Sequence, residues 1–149
     1  MNTITEISHP AVERLMHALI QVAIKPEDQS IPATIKAAKY HLEAGGHRVR
    51  AKLALHACHA LGIQSGDAVR IAAAVELLHN ASLVHDDLQD DEKIRRGQPT
   101  VWAAFGKDVA ICTGDLLLSA AYGALAEVSD PTLIPALLRC VHERTTMVI

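Results

Sequence analysis

From Asp67 to Leu88 the chain runs for 22 residues without a glycine or a proline. Within that stretch Ala68, Ile71, Ala72, Val75, Leu78 and Ser82 recur at three- and four-residue steps, the spacing that stacks side chains on one face of a helix. Strands in small domains are far shorter. The segment is therefore expected to be a long helix that packs on neighbours along its length, and the rest of the fold must be built around it. Similar stripes flank it. Val12, Leu15, Met16, Leu19 and Ile20 predict a first helix after Pro10. A second is expected from near Pro32, a favoured first-turn residue, to about Ala44, where Gly45-Gly46 ends it. A third runs from about Arg50 to Leu61 and stops at Gly62.

Lys25 to Ser30, with Pro26, reads as a polar break, and Asp90 to Pro99 as a charged loop broken by Gly97 and Pro99. A fifth helix is predicted over Asp108 to Glu127, and its run Leu116 to Ala121 is apolar nearly all round, which places it centrally. Ser129-Asp130-Pro131 restarts a sixth helix, whose apolar stretch from Leu133 reaches Ile149 without a stop signal. That end suits a fraying helix or one part of a larger fold. Half of the residues are hydrophobic and only 3% are aromatic, and no stretch alternates apolar with polar. These patterns predict an all-α bundle forming a single domain over residues 1–149.

Charge and cysteine use narrow the function classes. A formal net charge of -3 offers no basic face for general nucleic-acid binding. No apolar run is read as a membrane span, and Met1 to Pro10 lacks the basic start and apolar core of a signal peptide. Cys58, Cys112 and Cys140 form no metal or redox motif and are expected to be small core residues, which suits a reducing cytoplasm.

The chemistry concentrates between Glu76 and Arg96. Asp86, Asp87, Asp90, Asp91 and Glu92 place five carboxylates in seven residues. Asp86 and Asp90 are one helical turn apart, and His79 lies seven positions before Asp86 on the same side. Like charges gathered at a helix C-terminus repel each other and the dipole, unless a cation compensates. Hard oxygen donors suit Mg²⁺, which takes one or two carboxylates, waters and substrate phosphates. The planar guanidinium forks of Arg95 and Arg96 match phosphate oxygens. A metal–diphosphate site competes here with a solvated helix end laced by internal salt bridges. A second basic element, Gly45-Gly46-His47-Arg48-Val49-Arg50, opens a helix and suits an anion, or else is a tight turn between helices with exposed arginines.

Taken together these residues resemble the trans-isoprenyl diphosphate synthases, the polyprenyl synthetase family. Glu76 to Asp90 is similar to that family's first aspartate-rich motif, and Arg95-Arg96-Gly97-Gln98-Pro99-Thr100 follows at the family's spacing. Gly45 to Arg50 resembles its Gly-Gly-Lys-Arg-x-Arg element, with His47 where the family has lysine, and Phe105-Gly106 and Gly114-Asp115 fall in family order. The resemblance covers about Tyr40 to Ala126 and only the N-terminal half of the family sequence, so the fold it implies is about half of an isoprenoid synthase-type helix bundle. It implies that Asp86, Asp87 and Asp90 act catalytically by binding Mg²⁺ and the allylic diphosphate, with Arg95 on the same diphosphate. It implies that Arg96, Arg50, His79 and, in the lysine's place, His47 bind isopentenyl diphosphate.

The implied activity is prenyl transfer: an allylic diphosphate ionises, the isopentenyl double bond attacks the cation, and a proton leaves. Ala81 and Ser82, about one turn before Asp86, stand where the family sets chain length, and their small size suggests a product beyond the farnesyl stage. Turnover is expected to need a C-terminal half, supplied by a longer chain or a complementary one, and a homo-oligomer is the other expected assembly. A non-catalytic isoprenoid-diphosphate-binding or partner subunit is the rival from another class. Two further readings of the residues remain. Glu76-x-x-His79 has the spacing of a di-iron ligand pair. His85-Asp86, with His56 and His59, could serve a metal-dependent phosphohydrolase of the His-Asp type. Asp115, inside an apolar helix, is expected to be a structural partner of the arginine region.

Overall fold

The computed structural model describes residues 3–22 and 31–148. The expected polar break from Lys25 to Ser30 lies outside them. The described residues form α1 (Thr3–Leu19), α2 (Ala33–Glu43), α3 (Val49–Ala60), α4 (Ser65–Gln89), β1 (Ile94–Arg95), β2 (Gln98–Pro99), α5 (Val101–Phe105), α6 (Lys107–Ala126) and α7 (Ile134–Val148). The fold is an all-α bundle, with one two-stranded hairpin among the described residues.

The long glycine-free stretch is α4, and it forms the axis of the bundle. It packs most extensively against α6, then against α3 and α1. Alanines at 72, 73, 74 and 81 of α4 and at 110, 120, 121 and 124 of α6 are buried, so the two backbones approach closely. Leu77 and Leu117, both at 0% exposure, fill the seam. Val12 and Met16 of α1, with Ile20 just after it, close one side, while Ala37, Ala38 and Leu42 close another from α2.

Several expectations change. Helix α1 begins at Thr3 and carries Pro10 inside it; the apolar stripe starts only at Val12, so nothing marked the earlier turns. The charged loop after α4 contains an antiparallel hairpin, with Ile94 opposite Pro99 and Arg95 opposite Gln98. Its two turn residues, Arg96 and Gly97, have φ of 53° and 81°, the left-handed pair that a two-residue hairpin loop requires. Helix α5, at five residues, is too short to show a period. Helix α6 is central as expected but not enclosed: Ile111, Cys112, Asp115, Ser119 and Tyr122 lie on an exposed face. Cys58 is buried, whereas Cys112 and Cys140 are exposed rather than core residues. By length and composition alone, α6 is also long and apolar enough to cross a membrane, a test that a core helix passes as well; here α1, α2, α4, α5 and α7 pack against it.

Candidate functional site

The C-terminal end of α4 is built from the acidic run itself. Asp90 is the C-cap, Asp91 turns left-handed at φ 53°, the Asp91 N–H donates to the Leu88 carbonyl at 3.4 Å, and the Glu92 N–H donates to that of Asp87 at 2.9 Å. This is the Schellman arrangement, with an aspartate where glycine is usual. Trp102 on α5 completes it: its indole N–H is shared between the carbonyls of Asp87 (2.8 Å) and Glu92 (2.7 Å). Thr100 adds a hydroxyl to the Glu92 carbonyl at 2.8 Å. The acidic turn is thus held rigidly although its carboxylates repel.

Three aspartates then diverge in environment. Asp87 is 1% exposed, and Arg95 closes on it with Nε at 2.8 Å and Nη2 at 2.6 Å from Oδ1. That hydrogen-bonded pairing is the main reason the Arg95 guanidinium is held even more firmly charged than usual. Asp86 is half-buried and Asp90 is exposed, and neither side chain accepts a hydrogen bond from a described residue. No group of three or more His, Cys, Asp or Glu side chains among the described residues is arranged to hold a metal ion. The donors nonetheless fit Mg²⁺ by chemistry, since Asp86 and Asp90 are unneutralised hard-oxygen ligands and that ion needs only one or two carboxylates beside water and phosphate. Asp87 is withheld by Arg95.

The basic elements converge beside this turn. Arg96 donates to the Gly45 carbonyl, joining the hairpin to the loop after α2. Gly46 lies under that guanidinium: a Cβ there would stand 2.8 Å from Arg96 Nη1, and φ of 144° would strain any other residue. The Tyr40 hydroxyl donates to the Pro99 carbonyl at 2.8 Å and fastens β2 to α2. His79 is half-buried on α4, and its pKa is lowered, first by burial and then by Arg50, Arg96 and Arg95, against the opposing pull of Glu76. Arg50 at the start of α3, both hairpin arginines and His79 therefore share one electropositive region. His47 is exposed at its edge.

Of the two small residues, Ser82 is half-buried and donates its hydroxyl to the His79 carbonyl at 2.8 Å. Ala81 is 4% exposed and belongs to the packed core. Glu76 is buried against Arg48 rather than set out as a metal ligand with His79. His56 and His59 lie on the exposed face of α3 and do not gather with His85 and Asp86 into a metal cluster. Asp115 is 66% exposed and its neighbour is His85, with Nε2 at 3.6 Å, not an arginine.

The sequence reading missed His41 and Asn80. Both are buried, and His41 Nε2 and Asn80 Oδ1 lack a hydrogen-bond partner among the described residues. Burial lowers the His41 pKa to about 4, with Arg96 and Arg48 adding to the fall while Asp87 and Asn80 oppose it. The signal available was the single histidine on the inward face of α2, which sequence alone does not separate from an ordinary helix residue.

Known proteins are similar across most of the chain. A family model described as Polyprenyl synthetase matches residues 32–148. A short chain isoprenyl diphosphate synthase of Methanothermobacter thermautotrophicus is 37% identical over 95% of this chain and 41% of its own length. A farnesyl diphosphate synthase of Geobacillus stearothermophilus is 40% identical over 76% of this chain and 39% of its own. A solved FPP/GFPP synthase from Zymomonas mobilis superposes with a TM-score of 0.80 at 31% identity, covering 95% of this chain and 51% of that one. The chain thus spans about two fifths of the length of these curated relatives.

Proposed function

Because this chain belongs to the polyprenyl synthetase family, we propose that it is the diphosphate-binding half of a prenyltransferase. Its substrates would be an allylic diphosphate and isopentenyl diphosphate. The single observation that carries the reading is the gathering of Arg50, Arg95, Arg96 and His79 beside the α4 end that bears Asp86 and Asp90. Positive charge for diphosphate oxygens and free carboxylates for a cation then stand side by side.

In this reading Asp86 and Asp90 hold Mg²⁺, which when bound neutralises charge on the leaving diphosphate. Asp87 joins them once Arg95 turns from it to the allylic diphosphate. The allylic C–O bond breaks as diphosphate departs. The isopentenyl double bond then supplies the pair for the new C–C bond, and loss of one proton restores the alkene. Arg96, Arg50, His79 and His47 hold the isopentenyl diphosphate, and Ser82 lies below the growing tail. A second copy or a chain carrying the remaining half completes the site, in the cytoplasm, where the free thiols of Cys58, Cys112 and Cys140 would persist.

The test is turnover of isopentenyl and allylic diphosphates with Mg²⁺, by the chain alone and mixed with a C-terminal half of a relative. Prenyl product from the mixture, lost in Asp86→Ala with Asp90→Ala, is the expected result. Mg²⁺-dependent diphosphate binding without product in any mixture would make the chain a non-catalytic subunit, and absence of binding would overturn the reading.

A further inference from the structure

Arg48 stands next to the residue that replaces the family-type lysine, and by charge it looks like a substitute anion ligand. Its side chain goes the other way. Arg48 is 5% exposed; Nε donates to Glu13 Oε1 at 2.6 Å, and Nη2 donates to the Leu42 carbonyl at 2.8 Å. Nη1 lies 3.5 Å from Glu76 Oε1. Its backbone is left-handed at φ 45°, an uncommon state for a non-glycine residue that the surrounding contacts must hold. One guanidinium therefore links α1 through Glu13, α2 through Leu42 and α4 through Glu76, while its own backbone caps α3.

Glu76 extends the network. Its Oε2 accepts the Ala51 N–H at 3.2 Å, satisfying one of the first-turn donors of α3 that Arg48 leaves without a side-chain cap. The same turn presents Arg50 outward, and the chain before it carries Gly45 and Gly46 against Arg96, with His47 exposed beyond them. We infer that Arg48 is a positioning residue: paired with Glu13 and Glu76, it sets the Gly45–His47 loop and the start of α3 so that His47 and Arg50 face the diphosphate. This rests on the diphosphate reading for its purpose, though the ordering of the loop stands apart from it.

The experiment uses the whole chain with inorganic diphosphate and Mg²⁺ in a calorimetric titration. Amide hydrogen exchange is followed in parallel over residues 45–51. Glu13→Gln is the informative variant, because Glu13 sits on α1 outside the electropositive region and its carboxylate is 29% exposed, so the fold should survive where Arg48→Met could fail. Arg48→Met and Glu13→Gln should each weaken diphosphate about tenfold, and the double variant no more than either alone. Exchange over residues 45–51 should quicken in Glu13→Gln while α6 amides stay as they were. Weakened binding in Arg48→Met with unchanged binding in Glu13→Gln would make Arg48 a direct ligand and overturn the inference. Unchanged loop exchange in Glu13→Gln would also overturn it, whatever happens to the melting temperature. If the wild-type chain binds no diphosphate yet the loop loosens in Glu13→Gln, the positioning stands and the diphosphate reading falls.

Discussion

Arg95 holds the buried carboxylate of Asp87 by two nitrogens, Nε at 2.8 Å and Nη2 at 2.6 Å. The pair neutralises one aspartate of the acidic turn, while the side chains of its neighbours Asp86 and Asp90 accept no hydrogen bond among the described residues. Arg95→Gln should cost about 3 kcal/mol, because Asp87 would remain buried with its charge uncompensated. Millimolar Mg²⁺ should return part of that loss, and should return none of it once Asp87→Asn is added. Urea unfolding with and without Mg²⁺ measures both; a variant as stable as the wild type would mean that the pair contributes nothing.

His85 occupies the space that a side chain at Gly114 would need, its imidazole lying where a Cβ would stand. Gly114→Ala should therefore expel the imidazole from its place beside the Ile111 carbonyl and cost about 2 kcal/mol. In a His85→Ala background the same change should instead stabilise the helix by up to about 1 kcal/mol. A double-mutant cycle in thermal unfolding checks this, and equal costs in the two backgrounds would show that the ring and the glycine are not coupled.

His41 gives a pH prediction. Its folded pKa is lowered to about 4 by burial, against about 6.5 in an unfolded chain. The unfolded chain binds the proton more readily, so this contribution to stability is complete above about pH 6.5 and is lost as pH falls toward about 4. The loss should be on the order of 3 kcal/mol, and His41→Gln should flatten the slope in that window. Chemical denaturation at pH 7, 5.5 and 4.5 is sufficient, and parallel slopes for both proteins would contradict it.

Ala81 and Ser82 should respond differently to the same enlargement. Ala81→Phe forces a ring into packed core and should destabilise by about 3 kcal/mol. Ser82→Phe loses one half-buried hydroxyl contact and should cost less than about 1 kcal/mol. In a reconstituted enzyme Ser82→Phe should shorten the product. Unfolding curves together with mass spectrometry of the product separate the two effects, and an unchanged chain-length distribution would place the prenyl tail elsewhere.

How legible each element was followed from how much local signal it carried. Helix α4 could be placed from its uninterrupted stripe, and the ends of α2 and α3 from Pro32, Gly45 and Gly62, since those residues act within a few positions of themselves. Helix α5 and the hairpin are held by Tyr40, Thr100 and Trp102, whose partners lie 8 to 59 residues away, so no local window reports them. The candidate residues Asp86, Asp90, Arg95 and Arg96 were visible as charge. What charge could not say is which arginine turns outward: Arg48 and Arg50 read alike, and only Glu13 and Glu76, 35 and 28 residues from Arg48, draw the first one inside. The burial of Asp87 and His41 was hidden for the same reason, because it depends on helices meeting rather than on spacing within one.

The indole of Trp102 donates to the Asp87 and Glu92 carbonyls, and Lys107 Nζ lies 5.5 Å from its ring centroid. It is the chain's single tryptophan. The protein therefore carries an intrinsic optical probe at the hinge of its acidic turn. Emission from that one fluorophore, with no label and no background from a second indole, reports the moment when Asp87 and its turn are disturbed. Stopped-flow fluorescence can time that event against the arrival of a cation or a diphosphate.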